Sequence, residues 1–447
     1  MKGIIKILQG TYLTKRFYYS GAFVVLCFVF GHFFPIFYIA AKLLLLLLIV
    51  AIVFNITLLY SKQQPVAAER KLAERLSNGD ENKITIIIRN NYGFTAEFKI
   101  IDEIPFQFQV RDFEINTKLY TQQEKEESYL LRPTQRGEYS FGIINIFAQH
   151  PLGLIRRRLK IGATIKVPVY PSYIQMRKFE LLAISNRLTE AGIKKVRKLS
   201  HTIEFEQIRD YVQGDDIRTI NWKATARRTH LMVNQYQDEK SQQVYSIIDM
   251  GRTMEMPFNG LSLLDYAINT SLVISSIAMH KQDKAGLFTF SKFINNILPA
   301  ERNKVQMYRI MEALYRQKTD FSESDFENLY TAIKRKIKQR SLLLLYTNFE
   351  WEVSLSRQMH FLRQLNNNHL LIVIFFKNTE IRKLVQEKSL SLNDIYVKTI
   401  AEKLMYEKRL IVKELQKYGI QSILTEPENL SVNTINKYLE LKALGKF

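Results

Sequence analysis

A long apolar stretch near the N-terminus most strongly constrains what this chain can fold into. It runs from Phe17 to Tyr60, and its main interruptions are His32, Pro35, Lys42 and Asn55. A single helix of this length would measure about 65 Å, roughly twice the hydrocarbon thickness of a bilayer. The stretch therefore predicts an N-terminal transmembrane helical hairpin within residues 1–62, with two spans and a turn at residues 31–35.

Basic residues flank this stretch on both sides. Lys15 and Arg16 precede the first span, and Lys62 and Arg70 follow the second. By the positive-inside rule both ends are cytoplasmic, so we expect a multi-pass protein of the bacterial inner membrane with its soluble domains in the cytoplasm. A cleaved signal peptide is disfavoured because its apolar core has only about 7–15 residues. A buried soluble hairpin is disfavoured because residues 43–53 include no polar side chain.

The rest of the chain is large, basic and free of cysteine. Its 447 residues exceed what one core normally organises. The only cysteine, Cys27, lies in the apolar stretch, which excludes a disulfide or a Cys-based zinc site in the soluble part. The net charge of +21 attracts polyanions. Given the anchor and the lack of a nucleic-acid-binding motif, we expect membrane lipids and no nucleic acid as anionic partners.

Short alternating segments follow the anchor and predict a small antiparallel β-sandwich over residues 80–172. The predicted strands are Ile84–Ile88, Glu97–Ile100, Phe106–Val110, Tyr139–Ile143 and Ile165–Val169. Nothing in this part of the sequence indicates catalysis.

A basic region overlaps the end of the sandwich and leads into a predicted connector, residues 173–242. Between Leu154 and Ser200 there are twelve Lys or Arg residues, beginning with Arg156-Arg157-Arg158, and two acids. Two interpretations stay open: a solvated face or mobile connector, and a strip that binds lipid headgroups or a partner.

Residues 243–447 alternate between buried strands and helices, which predicts a doubly wound α/β sheet. The predicted strands include Val244–Ile248, Gly286–Phe290, Leu342–Tyr346, Leu370–Phe376 and Ile420–Leu424. In such folds ligands bind at the carboxyl ends of the strands.

Asp249 lies at the carboxyl end of the first of these strands and is followed by Met250-Gly251-Arg252-Thr253. This loop resembles that of the von Willebrand factor A fold, whose first strand ends in Asp-x-Ser-x-Ser and helps to hold a divalent ion. The resemblance implies a von Willebrand factor A-like, Rossmann-type domain with Mg²⁺ as the candidate cofactor. Its implied ligands are Asp249, Thr253 and Ser324, with Thr319 as the alternative to Ser324.

Two departures from that pattern predict a degenerate metal site. Gly251 supplies no side-chain oxygen, and Asn348 replaces a charged ligand with a neutral amide. We therefore expect weak magnesium binding or none. The alternative is a structural aspartate that caps its own loop.

The most specific motif is Tyr-x-x-Gly-Asp-Asp-x-Arg-x-Ile-Asn-Trp-Lys-x-x-Ala-Arg at residues 211–227. It looks like the signature of the family called domain of unknown function 58. The candidate signature or partner-binding residues are Tyr211, Gly214, Asp215, Asp216, Arg218, Asn221, Trp222, Lys223, Ala226 and Arg227. The two adjacent acids are interpreted either as a structural charge network, accepting from Arg218, Arg227 or the ends of nearby helices, or as part of an active site.

No catalytic residues are expected, because the chain has no phosphate-binding loop, no His-Glu-x-x-His and no nucleophile elbow. The family resemblance instead implies a non-enzymatic adaptor in envelope or stress-related protein maturation. Its implied partners are a MoxR-type AAA+ ATPase and other membrane A-domain proteins. The alternative is a metal-dependent hydrolase that uses Asp215, Asp216 or Asp249.

Overall fold

The computed structural model describes residues 10–184, 189, 192–194, 204–237, 241–386 and 391–446. Part of the predicted connector (185–188, 190–191, 195–203 and 238–240) lies outside the described residues. The chain divides into two compact units, Met1–Tyr170 and Pro171–Phe447.

The first unit holds two helices and eleven strands among its described residues. In chain order these are β1 (Thr11–Leu13), α1 (Lys15–Gly31), α2 (Pro35–Tyr60), β2 (Val66–Lys71), β3 (Leu76–Ser77), β4 (Asn82–Asn90), β5 (Ala96–Asp102), β6 (Ile115–Leu119), β7 (Glu124–Leu131), β8 (Gly137–Phe141), β9 (Ile144–Gln149), β10 (Ile155–Ile161) and β11 (Ile165–Tyr170).

The two helices form at the apolar stretch, and the chain reverses between them. The Phe28 and Tyr38 rings, one from each helix, lie 6.0 Å apart. Within the described part of the chain, only α2 is long and apolar enough to cross a membrane. Helix α1 has 17 residues and measures about 26 Å, short of the ~30 Å hydrocarbon core. One candidate membrane span near the N-terminus is therefore present, and the second predicted span is not confirmed.

Strand β1, which precedes α1, pairs antiparallel with β10, which follows α2 in the chain. Thr11 lies opposite Arg157 in this pairing. The guanidinium of Arg157 donates to the carbonyls of Leu59 (2.6 Å) and Lys62 (3.1 Å) at the end of α2. Its carbon lies 4.3 Å from the centre of the Tyr60 ring. A cation at a helix C-terminus is favourable, so Arg157 ties the end of α2 to the sandwich.

The strands of the first unit form three sheets, in the orders β1-β10-β9-β5-β6, β2-β4-β7 and β3-β11-β8. Ile84, Ile86 and Ile88 alternate inward from β4 and are fully buried, as the period-two pattern predicts. Every pairing between these strands is antiparallel except that of β3 with β11. The sheets begin before the predicted boundary at residue 80, because β2 and β3 belong to them.

The predicted strand at Phe106–Val110 is wrong. Residues Phe106–Phe108 form a 3₁₀ turn. Gln109 ends that turn with a positive φ of 54°, which no strand accommodates. The aromatic alternation has a different cause: Phe108 packs on Tyr139, with ring centres 5.0 Å apart, while Phe106 is exposed.

The second unit adds the remaining elements. They are α3 (Tyr173–Ile184), β12 (Glu204–Asp210), α4 (Trp222–Thr225), β13 (Met232–Gln237), β14 (Gln243–Asp249), β15 (Pro257–Phe258), β16 (Leu261–Ser262), α5 (Leu263–His280), β17 (Lys284–Phe290), β18 (Ile294–Glu301), α6 (Lys304–Tyr315), α7 (Phe326–Lys336), β19 (Leu342–Tyr346), α8 (Glu352–Asn368), β20 (Leu370–Phe376), α9 (Thr379–Gln386), α10 (Leu392–Lys417), β21 (Gln421–Thr425) and α11 (Leu430–Ala443).

A six-stranded sheet forms the centre of this unit, in the order β18-β17-β14-β19-β20-β21. Five strands are parallel, and β18 runs antiparallel at one edge. Val244 and Ile248 of β14 face a core formed with α5, α6 and α11. Ile247 faces a second core formed with α7, α8 and α10. Helices thus cover both faces, and the predicted mixed α/β class is confirmed.

Helix α3 occupies the start of the segment that was predicted to be a connector, residues 173–242. Tyr173, Met176 and Phe179 pack into the core that also holds α5. The backbone N–H of Ser172 donates to the Asn269 side chain on α5 (2.9 Å). The density of basic residues obscured an apolar face at helical spacing.

Candidate functional site

The signature residues lie in a two-stranded hairpin, β12 paired with β13, separate from the six-stranded sheet. Asp210 and Met232 are opposite each other where the connecting loop begins and ends. The loop holds a 3₁₀ turn, Ile217–Thr219, and the one-turn helix α4. The N–H of Tyr211 donates to the Leu231 carbonyl (2.8 Å), and that of Asn221 donates to the Met232 carbonyl (2.8 Å). These bonds fold the loop back onto the strands.

Asp215 is held by an arginine that lies outside the sequence motif. Both terminal nitrogens of Arg209, on β12, donate to the two oxygens of Asp215, at 2.8 and 2.7 Å. The backbone N–H of Val212 adds a third bond of 2.9 Å. The Arg209 guanidinium, followed by the Val212 N–H, lowers the pKa of the Asp215 carboxyl. The expected partners Arg218 and Arg227 are therefore the wrong arginines for Asp215.

The neighbouring polar side chains cap short turns. Asp216 accepts from the backbone N–H of Arg218 (3.0 Å) at the start of the 3₁₀ turn. Asn221 accepts from the N–H of Ala224 (3.0 Å) at the start of α4. Both are N-cap bonds that satisfy otherwise unpaired donors. The two aspartates and the asparagine of the motif thus hydrogen-bond to backbone groups of the same loop, which favours the structural interpretation.

The same loop exposes apolar side chains to solvent. We call this group the signature patch; its members and their exposed fractions are Val212 (61%), Ile217 (69%), Trp222 (67%) and Leu231 (42%). Exposed cationic side chains accompany it: Arg218, Lys223, Arg227 and Arg228. The signature residues Tyr211, Gly214 and Ala226 also belong to this loop. Gly214 has a φ of +114°, a backbone conformation that disfavours any residue with a side chain.

A second cluster surrounds Asp249 at the carboxyl end of β14. This residue is only 2% exposed. One carboxylate oxygen accepts from the Gly251 N–H (2.8 Å) and from the Ser324 hydroxyl, and the other accepts from the Thr347 hydroxyl (2.6 Å). Burial raises the pKa of the Asp249 carboxyl, although these three donors oppose that rise.

The geometry explains the glycine at position 251. A side chain there would begin 2.2 Å from the Ser324 hydroxyl oxygen and 3.1 Å from the Asp249 carboxylate. Ser324 therefore occupies the space that a residue-251 side chain would need. Thr253 is the remaining predicted ligand. Among the described residues, no hydrogen bond joins the Thr253 hydroxyl to Asp249.

Asn348 has a neutral amide at the position where the von Willebrand factor A pattern has a charged ligand. Its side-chain oxygen accepts from the Lys408 ammonium (2.7 Å), and its nitrogen donates to the Thr253 carbonyl (3.3 Å). Lys408 also donates to the carbonyl of Phe349. Sequence reasoning missed Lys408, which lies 60 residues from Asn348.

These residues are a poor fit for Mg²⁺. A magnesium site needs open oxygen ligands in near-octahedral geometry. Here three donors already occupy Asp249, and an ammonium already occupies the Asn348 oxygen, where a second cation would be repelled.

Asp320 is a further carboxylate near this cluster. It accepts from Ser291 (2.5 Å) and from the hydroxyl (2.7 Å) and N–H (3.1 Å) of Ser322. Burial pushes the pKa of the Asp320 carboxyl up, but the bonds from Ser291 and Ser322 outweigh burial and hold that pKa below its usual value.

Comparisons with known proteins give one family match. Residues 207–401 match the family described as "Protein of unknown function DUF58". YeaD of Bacillus subtilis (strain 168), described as an uncharacterized protein, is 24% identical over 199 residues, which are 43% of this chain and 49% of that protein. This chain therefore spans about half the length of its curated relative.

Two solved structures show weak similarity. BatB from Bacteroides thetaiotaomicron, a conserved hypothetical protein, is 10% identical with a TM-score of 0.28 and covers 46% of this chain and 100% of its own. A PapD-like domain of human CEP192 is 11% identical with a TM-score of 0.19 and covers 24% of this chain and 87% of its own. The DUF58 similarity therefore stands on the sequence match, which includes both the signature loop and the Asp249 loop.

Proposed function

We propose that this protein is a non-enzymatic, membrane-anchored interaction module whose partner-binding surface is the signature patch. One observation carries the proposal: the loop exposes Trp222 and three other apolar side chains while its carboxylates are used within the loop. Binding hot spots are enriched in tryptophan and arginine. The basic side chains beside the patch favour a partner surface that is acidic around an apolar centre.

The proposed partner is a MoxR-type AAA+ ATPase, as the family resemblance implies, together with other membrane A-domain proteins. The strand order of the second unit and the position of Asp249 support a von Willebrand factor A-like domain. Asp249 ends β14 and Thr347 follows β19. The order of connections reverses between these two central strands. Ligands of doubly wound sheets bind at that point.

The anchor is proposed to cross the membrane twice. Because β1 and β10 pair within the first unit, the chain enters α1 and leaves α2 at the same sandwich. An even number of crossings satisfies this pairing, and the positive-inside rule then places the sandwich in the cytoplasm. Local thinning of the bilayer accommodates the shorter α1.

A hydrolase is the weaker alternative. Asp215 is neutralised by Arg209, Asp216 caps a turn, and Asp249 is enclosed by three donors. A catalytic carboxylate would need to reach a substrate or an activated water.

The decisive experiment measures capture of the purified ATPase by the full-length protein in nanodiscs. The Trp222→Ala variant should lower the affinity at least roughly tenfold, as removal of a hot-spot side chain does. Phe293→Ala is the matched control, because Phe293 is equally exposed at 67% in the same unit. Equal capture by the Trp222→Ala variant and the unaltered protein would refute the patch as the binding surface.

A further inference from the structure

A cavity of about 980 Å³ lies at the carboxyl ends of β19, β20 and β21, beneath α9 and α10. It is a different feature from the signature patch and reaches the Asp249 cluster only through Asn348. Its apolar lining includes Met256, Leu263, Phe376, Leu404, Met405 and Val412. This volume matches that of sites for small organic ligands, and strand ends are where such sites form.

The charged side chains around this apolar space are mainly basic. The lining includes five basic residues, Lys377, Arg382, Lys408, Arg409 and Lys413, and two acidic residues, Glu350 and Glu426. Arg382 and Glu426 pair with each other at 2.9 Å. The remaining charges leave a clear positive excess, which is complementary to an anion.

Lys408 projects from α10 and places its ammonium in the apolar cavity. Among the described residues its hydrogen-bond acceptors are the Asn348 amide oxygen (2.7 Å) and the Phe349 carbonyl, both of them neutral. An ammonium carries three donors, and a cation in apolar surroundings is costly without a counter-charge. Burial lowers the pKa of Lys408 to about 8, and the Glu350 carboxylate only partly opposes this fall.

We propose that this cavity binds an anionic amphiphile with a single long hydrocarbon chain, of the fatty-acid class. The chain fills the apolar space, where each buried methylene contributes about 0.8 kcal/mol. The acidic head group accepts from Lys408 and supplies the missing counter-charge. A carboxylate and a phosphate monoester present the same chemistry to this ammonium.

A photo-crosslinking experiment tests the proposal on the full-length protein. The protein is reconstituted in nanodiscs of neutral phosphatidylcholine and irradiated with a diazirine-bearing palmitate, and labelled peptides are identified by mass spectrometry. We expect labelling on the α10 segment that carries Leu404 and Met405. Labelling of α2, the candidate membrane span, serves as the internal reference.

Competition decides the role of the charge without altering the protein. Unlabelled palmitate should remove the α10 label, while hexadecanol, of equal chain length but neutral, should compete roughly tenfold less well. Lysophosphatidate competing better than palmitate would assign the head group as a phosphate. Label confined to α2, or equal competition by hexadecanol and by both acids, would overturn the proposal.

A variant pair then tests Lys408 itself. Lys408→Met should lower the α10 label roughly tenfold relative to α2, and Lys408→Arg should largely restore it. Lys403→Met, on the same helix but outside the cavity lining, should label like the unaltered protein. Undiminished labelling of a folded Lys408→Met variant would overturn the assignment. If that variant does not fold, the competition result stands as the test.

Discussion

Asp249 and Asp320 lie in neighbouring loops of the second unit, yet their carboxyl pKa values move in opposite directions. Asp249 is buried, and desolvation of its charged form exceeds the effect of its three hydrogen-bond donors. Asp320 is exposed, and its donors exceed the smaller desolvation. With similar hydrogen-bond donors, ionisation of the carboxyl is therefore disfavoured in Asp249 and favoured in Asp320. The degree of burial decides the direction of each pKa shift.

This difference predicts opposite pH dependences for two Asp→Asn variants. A raised pKa means that the stability contributed by Asp249 is present at low pH and lost as pH rises. The Asp249→Asn variant should therefore gain stability relative to the unaltered protein as pH rises above about pH 4. A lowered pKa gives the reverse at lower pH, so Asp320→Asn should lose relative stability as pH rises towards about pH 4 and change little above it.

Intrinsic fluorescence can follow this comparison, because both tryptophans, Trp222 and Trp351, belong to the second unit. Thermal midpoints of the full-length protein would be measured across the pH range for each variant. Parallel pH curves for the two variants would contradict the burial argument.

At the scale of elements, a buried ion pair joins two sheets of the sandwich. Arg70 on β2 donates to both oxygens of Asp102 at the end of β5, and also to the Gly142 carbonyl (2.9 Å). The Tyr129 hydroxyl from β7 donates to Asp102 as well. Burial, followed by the charge of Asp102, raises the pKa of the Tyr129 phenol. The fully buried carboxylate of Asp102 therefore connects β2, β5 and β7 through hydrogen bonds.

Removing one member of this cluster should destabilise the first unit strongly. Arg70→Leu leaves Asp102 buried without its counter-charge, at a cost of about 3–5 kcal/mol. A triple variant, Arg70→Leu with Asp102→Leu and Tyr129→Phe, removes the three polar side chains and should recover much of that loss. Hydrogen–deuterium exchange of β5 reports the change. Unchanged protection in Arg70→Leu would show that the pair contributes little.

At the scale of the whole molecule, the pairing of β1 with β10 constrains the topology of α1 and α2 more than hydropathy does. Hydropathy selects α2 as a candidate span and leaves α1 too short. The pairing requires residues 11–13 and residues 155–157 to lie on the same side of any membrane. Two crossings satisfy both this requirement and the basic residues at each end of the apolar stretch.

Thiol labelling in intact cells tests this topology. Cys27→Ser removes the only cysteine, and a single cysteine is then placed at Leu13 or at Phe33. An impermeant reagent added outside the cell should label the Phe33→Cys variant and not the Leu13→Cys variant. A cytoplasm-dependent reporter fused after the C-terminus should be active. Labelling of Leu13→Cys with an active reporter would indicate a single crossing.

Local patterns predicted the elements that depend on nearest neighbours. The bounds of β19 and β20 agree with the predicted segments, because an unbroken apolar run specifies them. The 3₁₀ turn at Phe106–Phe108 and the helix α3 were mispredicted. In the first case an aromatic alternation reflected ring packing rather than a strand, and in the second a basic composition concealed an apolar face.

Contacts between distant residues decided the candidate sites. The sequence by itself determined the apolar N-terminal helices, the alternation of strands and helices, and the signature loop, since each depends on residues close together in the chain. Only the tertiary structure filled the space beside Gly251 with Ser324 and brought Lys408 to Asn348. Those choices depend on burial and on which side chains meet across the sheet, and no local pattern encodes either of them.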